Sequence, residues 1–348
     1  MIRVLIVDDS LVVRELLQHL LGSDPDIQVV GVARDGDEAV QLVHRMKPDV
    51  VTMDIHMPKM DGYQAIRKIM ETHPVPVIIV SSSWDPQEVG NTFRAMEAGA
   101  VAALVKPQGP GHPDHASAAK ELIQTVKLMS EVKMVRRWVR PSRDPATPGS
   151  QPRLAIRPKP SDISIIVMGA STGGPPVLQT ILVRLPKDLP VPIVIVQHIA
   201  HGFVQGLLEW LKQTTGFPMH LASHGERLLP GHVYFAPDDH HIGVEADGRA
   251  MLSIDPPENG LRPSVSFLFR SVARNFGSKA IGVLLTGMGR DGAEELRMMR
   301  ERGAVTFAQD QASSVVHGMP GEAMKLEAAV HVLPPEAIAE SLQDLAGK

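Results

Sequence analysis

A chain of 348 residues, 43% hydrophobic and 21% charged, is long enough for two globular domains with a core each. Its formal net charge of -4 gives no global attraction to nucleic acid or anionic lipid, and no apolar run approaches the roughly 20 residues that span a bilayer. There is no cysteine, which excludes disulfides and thiol catalysis, and the amino terminus meets Asp8 and Asp9 too early for a secretory signal; a cytoplasmic location is expected.

In chain order, residues 1–125 alternate short β-branched runs with amphipathic stretches, the pattern of a parallel sheet covered on both faces. Strands are expected at 4–7, 27–32, 50–53, 75–80 and 102–105, with helices at 10–21 and 37–46. A last helical segment, about 116–139, ends in Lys133, Arg136, Arg137 and Arg140, which suit a helix carboxyl end. Six prolines between Pro141 and Pro160 then mark an interdomain linker over 141–161. A second α/β alternation begins at Ile163, with strands expected at 163–168, 191–196 and 280–285 and no internal repeat.

Asp8 and Asp9 end the first strand, Asp54 the third, Ser81 the fourth, and Lys106 follows the fifth. In a parallel sheet all of these reach one edge. Carboxylates that close repel unless a hard cation such as Mg²⁺ sits among them. One carboxylate could then attack a phosphoryl group whose oxygens the metal and lysine neutralise. Any one acid alone could simply cap a helix. The full set, with Met57-Pro58, Asp61-Gly62 and Pro107, resembles the receiver domain of two-component response regulators over residues 1–125. That resemblance implies Asp54 as phosphoacceptor, Mg²⁺ held by Asp8, Asp9, Asp54 and the His56 carbonyl, and phosphoryl contacts from Ser81 and Lys106. It also exposes a departure: receivers usually carry Tyr or Phe three residues before the lysine, where this chain has Ala103.

In the second alternation, three strands run into Ser171, His198 and the loop that carries Asp291. Strand ends far apart in sequence can meet at one edge, and a serine nucleophile, histidine base and acidic orienter could assemble there. Gly169-Ala170-Ser171-Thr172-Gly173 has the small residues of a sharp strand-to-helix turn, and the helix opening at Pro175-Pro176 turns its positive end toward the serine. The same turn equally fits a phosphate cradle, but the Walker lysine and G-x-G-x-x-G spacing are absent, which favours the nucleophile. Of fifteen histidines, His198 is singled out because it follows a buried-looking strand. Asp291 could instead, or also, cap a helix starting near Ala293.

The order Ser, His, Asp departs from the serine-protease, subtilisin and α/β-hydrolase orders. Gly169 to Gly174, Gln197-His198, Pro263-Ser264-Val265, Leu285 to Gly292 and Gly318-Met319-Pro320 resemble the CheB chemotaxis methylesterases across nearly the whole chain. The resemblance implies an α/β fold of two doubly wound parallel-sheet domains: a flavodoxin-like receiver (1–125) and an α/β hydrolase-type methylesterase domain (162–348), joined by a helical extension and Pro-rich linker (126–161). It implies hydrolysis of glutamate γ-methyl esters on chemoreceptors, with methanol released, and deamidation of receptor glutamines as a second activity. Ser171, His198 and Asp291 would be catalytic, the Met288 backbone would face the oxyanion, and Thr172 would help position these groups. A CheA-type histidine kinase would donate the phosphoryl group, and hydrolysis itself would need no metal. The competing readings are a DNA-binding output, disfavoured by the missing helix-turn-helix with a basic face, and a nucleotide-binding or adaptor module without esterase activity.

Overall fold

The computed structural model describes residues 1–81, 95–96, 98–113, 115–132 and 163–347. Five strands form the first sheet: β1 (Ile2–Val7), β2 (Ile27–Ala33), β3 (Val50–Met53), β4 (Val77–Ser81) and β5 (Ala102–Val105). Their spatial order is β2-β1-β3-β4-β5, and every pairing is parallel. Leu11–Gly22, Gly36–Met46, Gly62–Thr72 and His115–Met129 are helices. Two starts are fixed by local chemistry, since Asp35 accepts the Glu38 N–H and Asp61 the Gln64 N–H at their N-caps.

The helix expected over 116–139 ends at Met129, past the boundary placed at 125, and gives way to a turn at Ser130 and Glu131. The Ser130 hydroxyl donates to the Lys127 carbonyl at this end. The basic stretch from Lys133 to Arg140 and the expected linker lie outside the described residues.

In the carboxyl-terminal half, β6 (Ile165–Ala170), β7 (Ile193–Gln197), β8 (Met219–Leu221), β9 (Val233–Phe235), β12 (Ala280–Leu284), β13 (Val305–Gln309) and β14 (His331–Leu333) form one parallel sheet in the order β14-β13-β12-β6-β7-β9-β8. Its central strands β6, β7 and β12 are buried at every position, as near-continuous apolar runs between two helical layers should be. Strand β6 runs two residues beyond its expected end because Gly169 and Ala170 stay in the ladder, opposite Leu284 and Gln197. Glycine is required there: a Cβ on Gly169 would lie 2.3 Å from the Val265 side chain of the helix Val265–Asn275.

An antiparallel hairpin of β10 (His241–Val244) and β11 (Ala250–Ser253) was not foreseen. Its signal was present in Asp247-Gly248, with Gly248 at φ +81 in the turn.

The two halves touch. Val315 and Val316, in the loop before the helix Met319–Lys325, pack against an apolar cluster of the first domain that includes Leu104, Leu122, Val126 and Met129. No helix among the described residues is long and apolar enough to cross a membrane.

Candidate active site

At the carboxyl edge of the first sheet the predicted acids converge. Ligand oxygens of Asp8, Asp9 and Asp54 all lie within 4.8 Å of one another. Asp8 and Asp54 are buried and Asp9 is exposed, so the cluster has a solvent side. Lys106 Nζ donates to Asp54 Oδ2 at 2.8 Å. It is also 2.8 Å from Asp8 Oδ2, as an ion pair without hydrogen-bond geometry, so that oxygen is buried without a donor. Burial pushes the Asp8 carboxyl above its usual pKa against the pull of Lys106, and Asp54 adds to the rise. Burial acts to lower the Lys106 pKa, but its hydrogen bond to Asp54 and the negative charges of Asp54 and Asp8 outweigh it and hold the ammonium above its usual value. A buried acceptor without a donor beside two further carboxylates fits a hard divalent cation such as Mg²⁺. Ser81 is buried at the end of β4, and its carbonyl accepts the Lys106 N–H at 2.8 Å. His56 is exposed two residues past Asp54. Ala103, partly buried in β5, packs against the main apolar core.

The second site is built where β6, β7 and β12 end. Ser171 follows Ala170; its N–H donates to the Thr286 carbonyl, 3.0 Å, and the His198 N–H donates to the Ala170 carbonyl, 2.9 Å. These two bonds tie the serine, histidine and aspartate loops into one edge. Thr286 is wholly buried; its hydroxyl lies 3.0 Å from the Thr172 carbonyl and accepts the Val316 N–H, also at 3.0 Å. The loops approach so closely that a Cβ on Gly287 would stand 2.4 Å from the Met319 sulfur and 2.7 Å from Ser171 Cβ. The Gly174 N–H turns back to the Ser171 carbonyl, 2.8 Å, instead of outward as in a phosphate cradle.

His198 Nε2 meets Asp291 Oδ2 at 3.0 Å. Asp291 is 2% exposed and accepts from four further donors: Ser264 Oγ, Val265 N, Ser266 N and Asn259 Nδ2, at 2.8, 2.6, 3.2 and 3.3 Å. Burial acts to raise its pKa, but the bond and charge of His198 and the Ser266 and Ser264 bonds prevail, holding the carboxyl far below the usual range. Because Asp291 is the acceptor, Nε2 carries the proton in neutral His198 and Nδ1 is left with the lone pair. The hydrogen bonds of the described residues include none between Ser171 Oγ and the His198 ring; such contacts commonly tighten only with substrate in place.

Asp291 does not cap the helix Ala293–Glu301, whose N-cap is Gly292. Its carboxylate turns inward and instead takes the first N–H groups of the helix Val265–Asn275. Gly292, at φ +84, makes the reversal possible, and its N–H goes to Ser266 Oγ, 2.9 Å. Met288 is 45% exposed, next to the Gly287 that approaches Ser171, and no hydrogen bond among the described residues uses its N–H. Thr172 is partly buried beside the serine. Asn259, Thr286 and the side chain of Gln197 had not been singled out from the sequence. Their contributions depend on contacts between distant loops, which no local pattern records.

The comparisons agree with this architecture. The family model described as CheB methylesterase matches residues 166–342, and the response regulator receiver domain model matches 4–115. A protein-glutamate methylesterase/protein-glutamine glutaminase of Geobacter metallireducens is 58% identical over 99% of both chains. One of Nitrosospira multiformis is 56% identical over 99% of this chain and 97% of its own. The crystal structure of the Thermotoga maritima CheB methylesterase catalytic domain, 39% identical, covers 52% of this chain and 98% of its own, with a TM-score of 0.51. With an edge that joins serine, histidine and aspartate, a separate acidic edge, and relatives alike along their whole length, the chain belongs to the CheB methylesterase family and carries a response-regulator receiver domain.

Proposed function

We propose that Ser171, His198 and Asp291 hydrolyse glutamate γ-methyl esters of chemoreceptors under control of phosphorylation at Asp54. The observation that carries this reading is the His198–Asp291 contact, 3.0 Å, on the edge that also holds Ser171. His198 Nδ1 takes the proton as Ser171 Oγ attacks the ester carbonyl, and returns it to the departing methoxide, so methanol leaves and the glutamyl group remains on the serine. Water, deprotonated by the same nitrogen, then attacks the acyl group to release glutamate and restore the serine. Asp291 fixes the tautomer and stabilises the imidazolium. The free N–H of Met288 supplies a donor for the oxyanion, where one donor is worth about 10²–10³ in rate. Thr172 contributes through its backbone, which anchors Thr286.

Glutamine differs from the ester mainly in its leaving group, and the relatives' names include glutaminase activity, so deamidation of receptor glutamines fits the same site.

In the receiver, Asp8, Asp9, Asp54 and the His56 carbonyl would hold Mg²⁺, which when bound neutralises charge on the incoming phosphoryl group. Ser81 and Lys106 contact that group, and Lys106 shifts its hydrogen bond from Asp54 to a phosphoryl oxygen. A CheA-type histidine kinase is the donor, and the reaction takes place in the cytoplasm without membrane insertion. The contact of Val315 and Val316 with the receiver supports control by occlusion, since Val315 also packs against Gly173 beside the serine. Ser171→Ala is expected to fold normally and to lose methanol release by about 10³-fold or more. A folded variant with wild-type release would refute the nucleophile assignment.

A further inference from the structure

We propose that Gln197 is a positioning residue that sets the serine and histidine loops relative to each other, an inference that rests on the roles of Ser171 and His198 given above. In the parallel pairing of β6 with β7, Ala170 stands opposite Gln197 as the last rung. The reacting residues come one step later, where the His198 N–H still reaches the Ala170 carbonyl but, among the described residues, no backbone hydrogen bond joins Ser171 to His198. The Gln197 side chain adds a link between these two residues: Nε2 donates to the Ser171 carbonyl at 2.9 Å and to the His198 carbonyl at 2.7 Å. One amide nitrogen has two protons, and both are used.

The placement is constrained from every side. Gln197 is 5% exposed, and its Oε1 is buried without a hydrogen-bond donor. That oxygen fills the space where a Cβ on Gly174 would stand, 2.1 Å away, so the amide is wedged between the serine turn and the first turn of the helix Gly174–Arg184. An acceptor left unsatisfied in a buried position is costly, and here the cost accompanies a defined donor geometry toward both loops. The Ser171 carbonyl has a second donor in Gly174 N; for the His198 carbonyl, Gln197 is the donor that the structure provides. Loss of the amide should therefore free the histidine loop more than the serine turn. Alignment of base and nucleophile is a property of the transition state, so kcat should suffer and KM should not.

The test uses full-length protein, saturating phosphodonor with Mg²⁺, and methyl-labelled receptor membranes at varied concentration. Gln197→Met keeps the size and removes both donors. It is expected to lower kcat about 10- to 100-fold with KM within twofold of wild type. Gln197→Glu, protonated in this buried site, keeps one donor and is expected to fall between the two. An unchanged kcat in folded Gln197→Met would overturn the inference, as would equal activities of the Met and Glu variants at matched thermal stability. Should the Met variant fail to fold, wild-type KM with reduced kcat in the Glu variant sustains the inference, and wild-type kcat overturns it. Ser171→Ala run in parallel separates the two levels: full activity there removes the proposed nucleophile, whereas an inactive Ser171→Ala beside an unimpaired Gln197→Met removes only the role of Gln197.

Discussion

Asp291 concentrates more of the site's electrostatics than any other single residue. Its carboxylate is buried and accepts five hydrogen bonds, one of them from His198. Replacing it with alanine leaves those donors without an acceptor, and a stability loss of about 3–5 kcal/mol is expected from denaturant unfolding. The sign of its pH effect follows from the depressed pKa in the folded state. Its stabilising contribution is fully present above the unfolded value, 3.8, and is lost as pH falls toward the folded value. Wild-type unfolding midpoints should therefore drop below about pH 4 more steeply than those of Asp291→Asn; parallel profiles would contradict this. Asp8 has the opposite situation, since burial raises its pKa and a cation would relieve the repulsion. Mg²⁺ should raise the first domain's thermal midpoint, and Asp9→Asn should weaken the rise. No response to Mg²⁺ in the wild type would count against the metal assignment. Ser171, His198 and Asp291 are candidates from the sequence because Ser171 and His198 come at the ends of hydrophobic runs and Asp291 lies in the loop after a third. Ser264 and Val265 fall in a segment that carries the family resemblance, but their role as donors to Asp291 was not legible, because they lie some 25 residues from it in sequence and meet it only after the helix Val265–Asn275 packs across β6.

At the scale of elements, small residues decide how near the loops may come. Gly287→Ala would push a methyl group into Met319 and Ser171, at a cost of about 1–3 kcal/mol from overpacking. Its activity should fall further than its stability, because the displaced atom belongs to the proposed nucleophile. Gly289→Ala is the control in the same loop: nothing lies within 4 Å of its Cβ position, although its φ of +81 still carries backbone strain. Equal activity losses in the two variants would argue that loop flexibility, not contact with Ser171, matters. The eight strands expected from apolar runs lie within two residues of those observed, with β3 and β5 matching at both ends, whereas the parallel strand β13, five residues long, was not among them. The short strands β8, β9 and β14, three residues each, carry too little periodicity to be separated from loop. The helix expected to run to 139 ends at Met129 although good helix formers continue beyond it in the sequence, so composition alone does not mark this end.

The whole molecule joins a switch to a hydrolase through surfaces that sequence patterns do not reveal. The Pro-rich segment and the two α/β alternations disclosed the two halves, but nothing local announced that Val315 and Val316, next to the serine turn, would rest on the first domain. Occlusion at this contact predicts that removing residues 1 to about 140 raises basal methanol release, and that the truncated protein no longer responds to phosphodonor. Unchanged or lower basal release would contradict simple occlusion.

The proposed mechanism couples phosphorylation at Asp54 to ester hydrolysis at Ser171 within one chain. Its most direct test is methanol release from methyl-labelled receptor membranes by wild type and by folded Ser171→Ala, each with and without phosphodonor and Mg²⁺. Release that phosphodonor stimulates in the wild type and that vanishes in the variant is the predicted result. No release by the wild type after Asp54 is verifiably phosphorylated, or undiminished release by Ser171→Ala, would contradict the account.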